Sequence, residues 1–116
     1  MPDPAPHPWV REFPASITVT DTDGIIVEMN DAAIRQFSKS GGAALIGTNC
    51  LDCHPEPSRS LFADMLKRPR SNVYSIEKDG KKTIIYQTPW YRDGCYAGYI
   101  EMSFEAPMDT PHFVRE

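Results

Sequence analysis

Cys50-Leu51-Asp52-Cys53-His54 is the stretch of this 116-residue chain whose residue types and spacing spell recognisable chemistry. Two thiols three positions apart, followed directly by a histidine, match the c-type haem attachment pattern, in which both sulfurs add to the haem vinyl groups and the imidazole ligates iron. The second axial ligand would come from Met29, Met65, Met102, Met108, His7 or His112. Zinc is another chemistry, with Cys50, Cys53 and His54 as three ligands and Cys95, His7 or His112 as the fourth. Structural zinc sites usually draw on two separated ligand pairs, however, and the adjacent Cys53 and His54 would have to converge on one ion, so no metal is expected. A redox dithiol is a third chemistry, because a Cys-x-x-Cys thiol near a helix N-terminus can have a lowered pKa and a helix is expected to begin near Pro57. The plainest reading is structural: Cys53 as a small buried apolar residue and His54, ahead of Pro55, anchoring its loop by a hydrogen bond.

Little else in the chain points to catalysis. Asp21 and Asp23 precede Gly24 in a turn, where aspartates ordinarily bond the local backbone. Lys67 and Arg68 fall at the end of an expected helix and complement its dipole, and with Arg59 and Arg70 they read as solvated. No nucleophile motif, paired-carboxylate arrangement or glycine-rich phosphate loop stands out, so an enzyme is not expected. Twelve Lys+Arg against sixteen Asp+Glu leave a net charge of −4, which gives no global attraction to nucleic acid or anionic lipid. Neither Gly24 to Val27 nor Ala43 to Gly47 approaches the ~18 apolar residues of a membrane span. The Met-Pro-Asp-Pro start has neither the basic nor the apolar region of a signal peptide. A cytoplasmic placing is therefore expected, with the three cysteines free of any disulfide framework. Length and composition fit one globular domain with an ordinary core.

The elements that must position the motif are legible from periodicity. Pro2, Pro4, Pro6, Pro8 and Pro14 predict an extended arm over residues 1–15, with Trp9, Val10 and Phe13 packing it onto the domain or a second subunit. Ser16 to Thr20 alternates polar and β-branched residues, which predicts a strand with Ile17 and Val19 inward, then a turn at Asp21-Thr22-Asp23-Gly24 and a second strand to Met29. Asn30 and Asp31 cap a short helix to about Ser38, ended by Gly41-Gly42, and Ala43 to Ile46 predicts one further helical turn. Residues 48–57 read as irregular. Leu61, Phe62, Met65 and Leu66 make the apolar stripe of the longest helix, Ser58 to Lys67. Three strands follow around hairpin turns at Asp79-Gly80 and Arg92-Asp93-Gly94, with Pro89 marking an end or bulge in the middle one. In the last strand Gly98, Ile100, Met102 and Phe104 are expected on the core face, and Tyr99, Glu101, Ser103 and Glu105 on the wet face. Tyr91 and Tyr99 then suit a sheet-to-sheet or arm-to-sheet contact.

This order predicts an α+β fold, a five-stranded antiparallel sheet with short helices packed on one face. At this level the chain resembles a PAS domain. The residues that carry the resemblance are Ile17 to Ile26 in the first hairpin, Met29-Asn30-Asp31-Ala32-Ala33 at the first helix, Leu45-Ile46-Gly47, and Trp90 to Gly94 leading into Ala97-Gly98-Tyr99-Ile100. The resemblance covers residues 16–105, with residues 106–116 as a C-terminal tail. It implies a sensory module whose helices and sheet enclose a small-molecule pocket, and which often dimerises through flanking segments. Output would then pass through a homodimer or a separate signalling partner. On this reading Phe37, Leu45, Leu61, Met65, Tyr86, Trp90, Ile100 and Met102 are the expected ligand-binding residues. The ligand is not specified; haem at Cys50, Cys53 and His54 is the alternative.

Overall fold

The computed structural model describes residues 8–116. Five strands form one antiparallel sheet: β1 (Ser16–Thr20), β2 (Ile26–Met29), β3 (Asn72–Lys78), β4 (Lys81–Arg92) and β5 (Cys95–Ala106), in the spatial order β2-β1-β5-β4-β3. Helices α1 (Pro8–Arg11), α2 (Asp31–Gln36) and α3 (Ser58–Lys67) and three short 3-10 turns complete it. No helix among the described residues is long and apolar enough to cross a membrane. The sequence-based expectation of five antiparallel strands with short helices holds.

Two hairpin turns form where expected. Asp79-Gly80 and Asp93-Gly94 all have positive φ, the primed-turn geometry whose twist matches that of the flanking strands. At the first turn, Asp21 Oδ1 accepts from the Asp23 and Ile25 backbone N–H groups at 2.9 and 3.0 Å, so its carboxylate does local work. Asn30 is the N-cap of α2 and joins three elements. Its Oδ1 accepts from Ala33 N at 3.1 Å and Ile17 N at 2.9 Å, and its Nδ2 donates to Ala15 O at 2.8 Å and Val10 O at 3.1 Å.

Several expectations change. The proline-rich arm is not wholly extended: Pro8–Arg11 form a helical turn, because Pro8 occupies its first position, where a missing N–H costs nothing. Pro2, Pro4, Pro6 and His7, for which an arm and a ligand role were expected, lie outside the described residues. Pro89 does not end β4, which runs unbroken to Arg92. β3 pairs with β4 only as far as Gln87, so Pro89 has a neighbour on one side alone, and the register shift falls after Trp90. Arg68 and Arg70 are not simply solvated, since both bind the Asp64 carboxylate.

The helices cover the face of the sheet opposite to the one expected. Tyr99, expected on the wet face, is 2% exposed, and Ser103 is buried, whereas Phe104 is 41% exposed. Ser103 Oγ donates to Gln36 Oε1 on α2, and the Tyr99 hydroxyl reaches Met65 O on α3 at 2.8 Å, which identifies this as the helix side. The same hydroxyl accepts from Arg70 N at 2.9 Å and so fastens the α3–β3 connection. Strand alternation then turns Ile17, Val19, Tyr86, Trp90 and Met102 to the opposite face. Alternation along β5 points to the wrong face, because its apolar residues Ile100, Met102 and Phe104 lie opposite Tyr99, Glu101 and Ser103. Short Ser16, Thr18 and Thr20 on the helix side leave space beneath the helices that the bulkier set would fill.

The core gathers Ile26, Met29, Ala33, Cys50, Phe62, Met65 and Tyr99, with Phe37, Leu45 and Leu66 packed against it. The Phe62 and Tyr99 rings meet edge-on with centroids 5.6 Å apart.

Candidate functional site

A cavity of about 70 Å³, open to solvent at its mouth, lies between the helices and the inner sheet face. Its apolar wall is built by Ile26, Met29, Phe37, Leu45, Phe62 and Tyr99. Thr18, Thr20, Gln87 and Glu101 supply polar groups from the strands, and Cys50, Cys53 and His54 complete the lining. A second cavity, of about 270 Å³, adjoins it between α3 and β3, with His54, Phe62 and Gln87 common to both.

The segment bearing the cysteines is held against the first hairpin. Cys50 N donates to Gly24 O at 2.8 Å, Ile26 N to Thr48 O at 2.9 Å and Gly47 N to Ile26 O at 2.7 Å. Asn49 caps the 3-10 turn Cys50–Cys53 by accepting from Leu51 N at 2.9 Å, and its Nδ2 donates to Asp23 O at 3.2 Å. Residues 48–57, expected to be irregular, thus contain a capped turn that presents three side chains to one cavity. His54 is fixed twice: Nδ1 lies 2.7 Å from the Cys50 carbonyl, and its ring stacks on Phe62 at a centroid distance of 5.7 Å. A carbonyl partner requires the proton on Nδ1, so that in the neutral ring Nε2 is the acceptor.

The expected anchoring of the loop by His54 is therefore present, but the buried cysteine is Cys50 and Cys53 is exposed. Burial first, then the charges of Glu101 and Cys53, push the Cys50 thiol up to about 12. Cys50 is thus the opposite of the lowered-pKa thiol that the dithiol chemistry calls for. Among the described residues no three His, Cys, Asp or Glu side chains gather where they could hold a metal ion, and Cys95 and His112 do not join Cys50, Cys53 and His54.

Of the expected ligand-binding residues, the structure brings Phe37, Leu45 and Ile100 to the first cavity and Leu61 and Met65 to the second. Tyr86, Trp90 and Met102 border neither. Tyr86 and Met102 pair with each other across β4 and β5 on the uncovered face, and Trp90 Nε1 donates to Thr20 O at 2.9 Å. Sequence reasoning missed Thr18, Thr20, Gln87 and Glu101, because it placed their side of the sheet in water. The available signal was the run of short or polar residues facing one way on neighbouring strands.

The architecture agrees with solved sensory domains. The PAS domain of BvgS from Bordetella pertussis aligns at 17% identity with a TM-score of 0.64, over 86% of this chain and 82% of that one. A PAS domain from Colwellia psychrerythraea aligns at 15% identity and a TM-score of 0.62, over 88% of this chain and 94% of that chain. The Aer2 receptor from Vibrio cholerae, described as a dual PAS-haem oxygen sensor, aligns at 18% identity and a TM-score of 0.59, over 78% of this chain and 93% of that one. No curated protein matches the chain. At these identities the likenesses establish the fold alone. The family model of the PAS fold matches residues 10–96. Together with the sheet order and the helix-covered cavity, that match makes this chain a member of the PAS family, sensory domains common in signalling proteins.

Proposed function

We propose that this PAS domain senses a small, mainly apolar molecule bound in the cavity between its helices and sheet, without catalysing a reaction. The occupied state would pass to a homodimer or a separate signalling partner in the cytoplasm. The cavity carries this reading: an apolar wall interrupted by a few convergent polar groups is the ordinary form of a small-molecule site. Homodimerisation is supported by the half-buried apolar residues Ile17, Val19, Tyr86, Trp90 and Met102 that share the outer face, and by exposed Trp9 and Phe13 on the arm.

Haem is the second reading, favoured by one observation: Cys50, Cys53 and His54 all line the same cavity. The donor set fits in the sense that His54 Nδ1 is tied to a backbone carbonyl, as metal-bound histidines usually are, so that Nε2 would face the iron. Cys50 and Cys53 would hold the vinyl groups. Haem there would supply a gas- or redox-responsive iron centre.

Mass spectrometry of freshly purified protein under native and then denaturing conditions separates the two. A mass excess lost on denaturation is the expected result. An excess that persists after denaturation, with a haemochrome spectrum, would replace it by covalent haem, and a bare chain would remove both.

A further inference from the structure

The charge of the cavity lining names a class of molecule, an inference that rests on the cavity-binding reading above. The lining holds one carboxylate, Glu101, and no lysine or arginine. Glu101 stands on the helix side of β5, in register with Thr18 of β1 and Gln87 of β4. Its Oε2 accepts from Gln87 Nε2 at 2.9 Å, and Gln87 Oε1 accepts from Asn72 Nδ2 at 3.0 Å. Gln87 is 5% exposed, so this chain of amides is fixed and presents its N–H end to the carboxylate. One neutral donor leaves the carboxylate with unused acceptor capacity. None of the ion pairs formed among the described residues involves Glu101.

A half-buried carboxylate beside an apolar wall is costly unless a donor, best a charged one, meets it. An anionic ligand would add repulsion at short range with no cation to offset it. The field of Glu101 is felt within the cavity, since it contributes to holding the Cys50 thiol in its protonated form. We propose that the cavity takes a small organic amine, its apolar body against Met29, Phe37, Leu45 and Phe62 and its protonated nitrogen donating to the Glu101 carboxylate. The Thr18 hydroxyl, opposite Glu101, is placed to accept a further N–H. Carboxylic acids and phosphate esters are disfavoured by the same charge.

Three probes with one apolar body and different polar ends test this: 2-phenylethylamine, 2-phenylethanol and 3-phenylpropanoate, each titrated to millimolar concentration into the full chain and followed by backbone amide NMR. The amine should bind at least about tenfold tighter than the alcohol, and the carboxylate weakest, as a charge-assisted hydrogen bond requires. Glu101→Gln should bring amine and alcohol to similar affinity, whereas Glu101→Asp, which keeps the charge, should preserve the order. An amine no tighter than the alcohol, or an amine preference that survives Glu101→Gln, overturns the inference and leaves the cavity reading standing. If none of the three shifts the amides of cavity-lining residues, the cavity reading falls and the inference with it.

Discussion

Cys50 shows how far tertiary surroundings redirect a side chain whose motif promised reactivity. The Cys-x-x-Cys-His spelling was legible, and so was the bond that anchors His54. Which thiol is buried was not, because a four-residue 3-10 turn decides it, leaving Cys50 buried and Cys53 exposed. The folded-state value of about 12 lies above the ordinary 9.0. Cys50 therefore contributes its stability in full below pH 9, and loses it as pH rises from there toward 12, because the unfolded chain gives up the proton first. The difference in unfolding free energy between wild type and Cys50→Ala, measured by urea titration, should accordingly shrink from pH 8 to pH 10.5. A difference that stays constant would show that the thiol is not buried as described. Iodoacetamide at pH 8 should label Cys53 and Cys95 in the folded protein and spare Cys50.

At the scale of elements, the turns and helices were readable because their signals are local. Asp79-Gly80, Asp93-Gly94 and the Asn30 cap act within a few residues of themselves, and α3 appears over the residues its apolar stripe marks. Gly98 is different, since its role depends on a strand distant in sequence. It has φ +142°, and a Cβ there would lie 1.9 Å from the Thr20 carbonyl oxygen. Its missing side chain lets β5 pass close against the end of β1, next to the register shift at Trp90 and Tyr91. Gly98→Ala should cost about 3 kcal/mol or more, combining backbone strain with a clash against main chain that cannot give way. Chemical denaturation of the variant checks this, and a loss below about 1 kcal/mol would contradict the close approach. Pro89 is the converse case. A proline that reads as a strand breaker is accepted in β4 because β3 stops short of it.

For the molecule as a whole, the covered and uncovered faces of the sheet separate the two proposed activities, ligand binding within and association without. Met102→Glu should therefore convert a dimer to a monomer, read by light scattering at micromolar concentration, while ligand retention in native mass spectra is unchanged. A wild-type monomer under those conditions would overturn the dimer. The sequence by itself determined the element order, the turn positions, the five-stranded antiparallel class and the PAS likeness, because each follows from short-range periodicity, caps and glycines read along the chain. It also picked out Cys50, Cys53 and His54 as residues belonging together. Only the tertiary structure decided which face of the sheet the helices cover, and hence that Glu101 and Gln87 line the cavity while Tyr86, Trp90 and Met102 do not. The physical reason is that alternation along β5 places Ile100, Met102 and Phe104 on the side away from the helices, so its more apolar face is not the covered one. The choice is made by what lies opposite: the short Ser16, Thr18 and Thr20 side chains on the neighbouring strand, and the Tyr99 hydroxyl that ties the sheet to the end of α3.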